Sequence, residues 1–238
     1  MIIILSPAKT FSKSKTISNQ VPYFYHDALS LVKSLKKKKV SDFIEDMKIS
    51  QNLATEVKEY YQNFGLEQLS AIHTYDGQAF KGFDIGSANE LLIDKISQRL
   101  YILSGLYGML KPLDGISYYR LDIKDKLIKN LYPFWKKKIE TYLNTYHNNE
   151  IIINLASIEY SRLLPKNSRI ITIDFLQIQE CKYKSISMFV KKMRGMMARY
   201  LIEYDITEIE NIKSILLDGY VYDLNKSSDS ILIFSKEI

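Results

Sequence analysis

One cysteine, Cys181, stands in 238 residues. No intramolecular disulfide can form, which fits a reducing compartment. Proline and glycine are also scarce, at 5 and 9 residues, so the chain is neither collagen-like nor a disordered tail. No apolar run approaches the roughly 20 residues that a membrane span requires. The opening Met1-Ile2-Ile3-Ile4-Leu5 has no basic segment before it and is too short for a signal-peptide core. A cytoplasmic location without membrane association is therefore expected. The three histidines, His26, His73 and His147, lie far apart, and none has a second ligand at helical or loop spacing. No metal site and no cofactor are expected from such an inventory. G-x-S-x-G and C-x-x-C are missing, and neither Gly77 to Gly82 nor Gly105-Leu106-Tyr107-Gly108 completes a P-loop or a dinucleotide fingerprint.

What is present is an ordinary globular composition, 46% apolar and 25% charged, with 18 tyrosines. Thirty-three Lys and Arg against 27 Asp and Glu leave a net charge of +6. That permits a polyanionic partner without demanding one. Met1 to Leu5 reads as a strand buried on both faces. Residues 11–22 read as a polar surface loop. A helix is expected from His26 to Lys38, with Ser41 and Ser50 as N-caps of two more. The glycines between Gly77 and Gly115 suggest loops. Ile151 to Leu155 and Arg169 to Phe175 are β-branched runs of strand length, the second preceded by turn residues Pro165 to Ser168. Lys184 to Met188 is a shorter candidate strand leading into a helix, and Tyr220–Tyr222 with Ile231–Phe234 form a closing pair of strands. Strands and helices interleave without a linker, which predicts one α/β domain over 1–238, built on a mixed sheet with helices around it.

The strongest chemical signal is Met188 to Ile202. At 100° per residue, Phe189, Val190, Met193, Met196, Met197 and Tyr200 share one side of a helix. Lys191, Lys192, Arg194 and Arg199 share the other, with Gly195 among them. No acidic residue lies between Lys191 and Tyr200. The plainer reading is a solvated face. A one-signed face also suits phosphate or carboxylate binding, and the helix-weakening glycine lets a phosphate or another backbone come close to the helix surface. Were these cations exposed, Arg194 and Arg199 would be removable with little loss of stability. Gly105 and Gly108, three apart after the apolar Leu100, Tyr101 and Leu103, suggest the turn of a helix-hairpin-helix unit, with Lys111, Arg120 and Lys124 close behind. Cys181, between Glu180 and Lys182, reads as an incidental thiol rather than a redox centre.

Several separated strings resemble one family. Ile4-Leu5-Ser6-Pro7-Ala8-Lys9-Thr10 is similar to the opening of the YaaA family of bacterial peroxide-stress proteins. So are Leu103 to Asp114, Tyr119-Arg120-Leu121, Ile153 to Ser157 with Glu159-Tyr160, and Lys191 to Gly195 with Met197 and Arg199. The resemblance implies a cytoplasmic protein of oxidative stress that keeps free iron low. It also implies a single α/β domain with a basic crevice and a helix-hairpin-helix-like element that binds duplex DNA. Carried over residue by residue, Lys9, Lys81, Arg120, Lys191, Lys192, Arg194 and Arg199 match motif cations, and Gly105, Tyr107 and Gly108 match the hairpin. The chain departs from the family pattern at Asp122, usually Glu, and around Phe83 to Ala88.

The resulting expectation is a monomer that binds duplex or structured DNA through phosphate contacts of Lys9, Lys81, Lys111, Arg120, Lys191, Lys192, Arg194 and Arg199, with little sequence preference. The alternative is an enzyme acting on a nucleotide or nucleic acid held by the same cations. Asp114, Asp122, Glu159 and Asp174 are then the candidates for acid–base work. Any effect on iron is expected to be indirect, because one cysteine and three scattered histidines do not make an iron site.

Overall fold

A computed structural model describes residues 1–166, 169–180 and 182–238. Cys181 and part of the expected 165–168 turn lie outside the described residues. The chain opens with β1 (Ile2–Leu5), all four side chains buried. The polar loop after it makes only isolated bridges, Phe11 with Tyr75, Ile17 with Leu69 and Gln20 with Asp114. Helices α1 (Tyr25–Leu35), α2 (Val40–Met47) and α3 (Gln51–Gln62) follow. Ser50 caps α3, accepting from the Leu53 amide at 3.4 Å. Ser41 caps nothing. It lies inside α2, whose first turn is closed by the Asp42 carboxylate accepting from the Lys39 amide at 2.8 Å. A carboxylate three residues on satisfies that amide directly.

Next come β2 (Leu69–Ser70), α4 (Ala71–Thr74), α5 (Gln78–Phe83), α6 (Glu90–Arg99), β3 (Leu100–Ser104), β4 (Gly108–Leu110) and β5 (Gly115–Ile116). The second half holds α7 (Leu131–Tyr146), β6 (Ile152–Asn154), α8 (Ile158–Ser161), β7 (Ile170–Gln179), β8 (Lys182–Lys184), α9 (Ser187–Glu203), α10 (Ile209–Lys213), β9 (Val221–Tyr222) and β10 (Ile231–Glu237). The main sheet runs β4-β3-β1-β6-β7-β10-β9, with β8 on the far end of β7. Strands β3, β1, β6, β7 and β10 are mutually parallel; β4, β9 and β8 are antiparallel additions. The mixed α/β architecture matches the expectation. Helix α9 packs on β7 and β1, with α5 and α6 against it.

The glycine turn is a correction. Leu100 to Ser104 is a fully buried strand, and Ser104 to Gly108 turns directly into antiparallel β4. No helix-hairpin-helix forms there. A short strand covered on both faces has the continuous apolar pattern of a buried helix, so periodicity alone cannot separate them. The close pair of helices in this half is α2–α3, joined through Lys48 in the left-handed region at φ +53°.

Candidate functional site at the carboxyl ends of the sheet

β1 is central, and the chain leaves it first for β3 on one side and then for β6 on the other. In open α/β sheets such a reversal leaves a crevice beyond the carboxyl ends of the strands. Here the loops leaving β1 and β6 are tied together. The Ser157 amide donates to Ser6 Oγ at 2.8 Å, and the two hydroxyls are 3.3 Å apart. Asn154, buried at the end of β6, holds the next loop by accepting from the Ala156 amide at 3.1 Å. The segment Leu121–Asp122 passes directly over Gly105, where an added Cβ would stand 2.2 Å from the Leu121 carbonyl oxygen. Glycine is required there because the backbones touch.

These loops enclose a small cavity of about 60 Å³ lined by Lys9, Tyr119, Arg120, Asp122, Asp125 and Tyr160, among others. Lys9 Nζ lies 3.0 Å from Asp122 Oδ2. Arg120 donates to the Lys9 carbonyl at 3.3 Å, while its own carbonyl accepts from the Tyr61 hydroxyl at 2.6 Å. Asp125 reaches back to accept from the Asp122 amide at 2.7 Å. Burial raises the Asp125 carboxyl above the ordinary range, although that amide and the nearby Lys9 and Arg120 charges pull it down. Tyr119 is buried, its hydroxyl 2.7 Å from both Tyr75 Oη and Ser104 Oγ, and burial pushes it up to about 12. Tyr160 is raised by the same cause. At the rim, Glu159 is held down to about 2 by its own backbone amide, the Ser157 hydroxyl and Lys124. A cation pair over two carboxyls of different character can hold an anion and move a proton.

Of the motif cations, Lys9, Lys81 and Arg120 come together. Thr10 exchanges hydrogen bonds with the Asp76 backbone, Asp76 pairs with Lys81 at 3.5 Å, and Gly77 presses on Ala8. Lys9 and Lys81 remain 58% and 59% exposed despite their carboxylate partners. Lys191 and Lys192 are exposed on α9, and the Lys192 backbone touches Gly82 of α5. Lys111 does not join them; it follows β4 and lines another cavity with Tyr101 and His147. Gly105, Tyr107 and Gly108 are buried: Gly108 has φ +71° and lies under the Trp135 ring, and Tyr107 accepts from the Ser117 amide. Their side of the hairpin faces the core.

Helix α9 corrects the reading of a free basic face. Arg194 is 12% exposed and bonds Asp174 of β7 at 3.1 Å. Arg199 is 13% exposed; it pairs with Glu203 at 3.0 Å and donates to the carbonyls of Phe83 and Asp84. That fastens the loop where the chain departs from the family pattern. Gly195 is buried, and a Cβ there would fall 1.7 Å from the Ala79 carbonyl oxygen. The glycine admits helix α5 rather than a phosphate. Asp174, Phe83 and Asp84 come from distant segments that the local sequence cannot show, whereas Glu203, four residues after Arg199, is a local signal lying just beyond the acid-free window.

Asp122 is in the crevice, Glu159 at its rim, Asp174 under Arg194, and Asp114 beside Lys111. Asp125 was overlooked among the candidate acids. Its signal was the Asp122-x-x-Asp125 spacing, which suits a side chain capping a turn. Among the described residues, no group of three or more His, Cys, Asp or Glu is placed to hold a metal ion, and no helix is long and apolar enough to cross a membrane.

Residues 1–226 match the family described as peroxide stress protein YaaA. The chain is 35% identical to a UPF0246 protein of Francisella philomiragia, covering 99% of this chain and all of the relative. UPF0246 proteins of Clostridium beijerinckii and Flavobacterium psychrophilum are each 36% identical, covering 98% and 100% of their lengths. With its motifs gathered at the ends of β1, β3 and β6 and the match running through nearly the whole chain, this protein belongs to the YaaA family of peroxide-stress proteins.

Proposed function

We propose that the protein acts in the cytoplasm during peroxide stress by holding backbone phosphates of duplex or structured DNA along the carboxyl-end crevice. Limiting free iron is then an indirect consequence. The observation that carries this reading is the meeting of Lys9 and Arg120, 111 positions apart, through the 3.3 Å bond from the Arg120 guanidinium to the Lys9 carbonyl. Exposed Lys81, Lys191 and Lys192 extend the basic surface along the α5–α9 crossing. Phosphate contacts of this kind give affinity with little sequence preference. With about five cations engaged, log affinity for a duplex should fall against log salt with a slope of roughly −4 to −5. A flat salt dependence would overturn the proposal.

A second reading has one observation in its favour. Asp125 is a half-buried carboxyl beside Lys9, Arg120 and Asp122, as an acid–base group acting on a nucleotide or nucleic acid would require. It predicts turnover of a phosphate-bearing substrate that Asp125→Asn abolishes without loss of fold.

A further inference from the structure

A second cavity, of about 560 Å³, opens at the other end of the sheet. β4 runs antiparallel to β3, so Lys111, just past β4, comes beside Tyr101 near the start of β3. Nothing in the crevice reading uses this cavity. Its outer wall is aromatic: the rings of Tyr23 and Tyr142 are 4.7 Å apart, and those of Tyr142 and Tyr146 are 4.8 Å apart. Tyr23 and Tyr146 are nevertheless 61% and 56% exposed. Two large rings left in water beside a cavity offer faces for another planar group.

The inner wall is polar and oriented. His147 Nδ1 lies 2.7 Å from Glu150 Oε1, and Nε2 lies 2.9 Å from the Tyr101 hydroxyl. Glu150 and Tyr101, one on each ring nitrogen, fix the orientation of the imidazole against the cavity wall. Asp114 is 5% exposed and lines the cavity, with Oδ2 accepting from the Lys111 amide at 2.8 Å. Burial pushes its carboxyl up to about 6, so a donor reaching its other oxygen would offset lost hydration. The Lys111 ammonium at the rim makes no ion pair among the described residues.

We propose that this cavity binds a nucleotide, its base against Tyr23 and Tyr146 with an N–H edge toward Asp114, and its phosphate met by Lys111. The volume suits such a ligand, since small-molecule sites span about 300–1,000 Å³. This site is independent of the crevice. Calorimetric titration of the full-length chain with AMP tests it. One AMP per chain is expected, weakened about tenfold or more by Tyr23→Ala. Lys111→Ala should weaken AMP but leave adenosine unchanged, because adenosine lacks the phosphate. Both side chains are exposed, so neither change threatens the fold. Arg120→Ala, in the crevice, should leave AMP binding intact while reducing duplex DNA binding, so the two readings fail separately. No binding at millimolar AMP, equal competition by inorganic phosphate, or loss in Arg120→Ala with retention in Tyr23→Ala would each overturn the proposal.

Discussion

Helix α9 and the loop from Tyr119 to Asp125 carry the same kinds of residue and use them in opposite ways. On α9 the arginines point into protein. Arg194 and Arg199 are almost covered and spend their donors on Asp174, Glu203 and two carbonyls of the α5 end. In the loop, half-buried Arg120 lines the crevice, and its guanidinium makes one 3.3 Å bond, to the Lys9 carbonyl, with no carboxylate partner among the described residues. The difference lies in what each element packs against. α9 is clamped between the sheet and α5, so its cations are drawn into structure. The loop is held from below, by the Tyr61 hydroxyl on the Arg120 carbonyl and by Asp125 on the Asp122 amide; Tyr119, Leu121 and Ile123 are buried in the core, while Arg120 lines the crevice and Lys124 is exposed. A basic motif therefore divides into cations that build the crevice and cations that face whatever occupies it.

The sharpest test of the α9 half is Gly195→Ala. Its new Cβ would stand 1.7 Å from a backbone oxygen and 2.9 Å from the Phe83 nitrogen. Backbone cannot turn aside as a side chain can, so α5 and α9 must separate. A loss of about 3 kcal/mol in urea unfolding is expected. A loss below about 1 kcal/mol would mean that the helices are not in contact here. Arg194→Ala comes next, at about 2 kcal/mol, because it strips the partly covered Asp174 of its charged partner. Arg194→Lys should recover only part of this, since an ammonium lacks the planar fork. Equal stability of the wild type and Arg194→Ala would return α9 to the class of solvated faces.

The opposite end of the sheet yields a pH test. Burial raises the Asp114 carboxyl from 3.8 to about 6. A group bound more tightly to its proton in the fold stabilises fully below 3.8, and that contribution is lost as pH rises through 6. Asp114→Asn cannot ionise. Its advantage over the wild type should therefore be small near pH 4 and grow to on the order of 3 kcal/mol by pH 7.5. A difference in unfolding free energy that stays constant across that range would mean that Asp114 is not buried as an acid.

Much of this was legible from local pattern. Met1 to Leu5 and Ile151 to Leu155 are apolar runs of strand length and became β1 and β6; the amphipathic 188–202 segment became α9. The closing pair was found too, with Tyr222 opposite Phe234. Helix α7 was not anticipated, because its core positions, Leu131, Trp135, Ile139 and Tyr142, are interspersed with Pro133 and a lysine run. Gly195 is legible as a close-approach residue for a phosphate or another backbone, and the fold selects the backbone; Gly105 reads as a hairpin turn and instead lies under the Leu121 backbone. Spacing shows that something comes near; only the fold shows that it is Ala79 or Leu121. The meeting of Lys9 with Arg120 and Asp122 was visible through the family strings alone, since Lys9 stands 111 positions before Arg120.

The smallest effect on stability should come from Arg120→Ala, and that is its value. Its backbone is held by Tyr61, independently of the side chain, and among the described residues the guanidinium makes only the one long bond to Lys9. Unfolding free energy should change by no more than about 0.5 kcal/mol. The DNA isotherm should change much more: affinity falls, and the salt slope becomes shallower by about one for each phosphate contact removed. Adding Lys191→Ala and Lys192→Ala should reduce the slope again without accumulating instability, whereas adding Arg199→Ala should cost stability through the released Phe83 and Asp84 carbonyls. Circular dichroism melts run beside salt titrations on these variants would separate the two kinds of cation. If Arg120→Ala lowers the melting temperature as far as Arg199→Ala does, the division between building and facing cations fails.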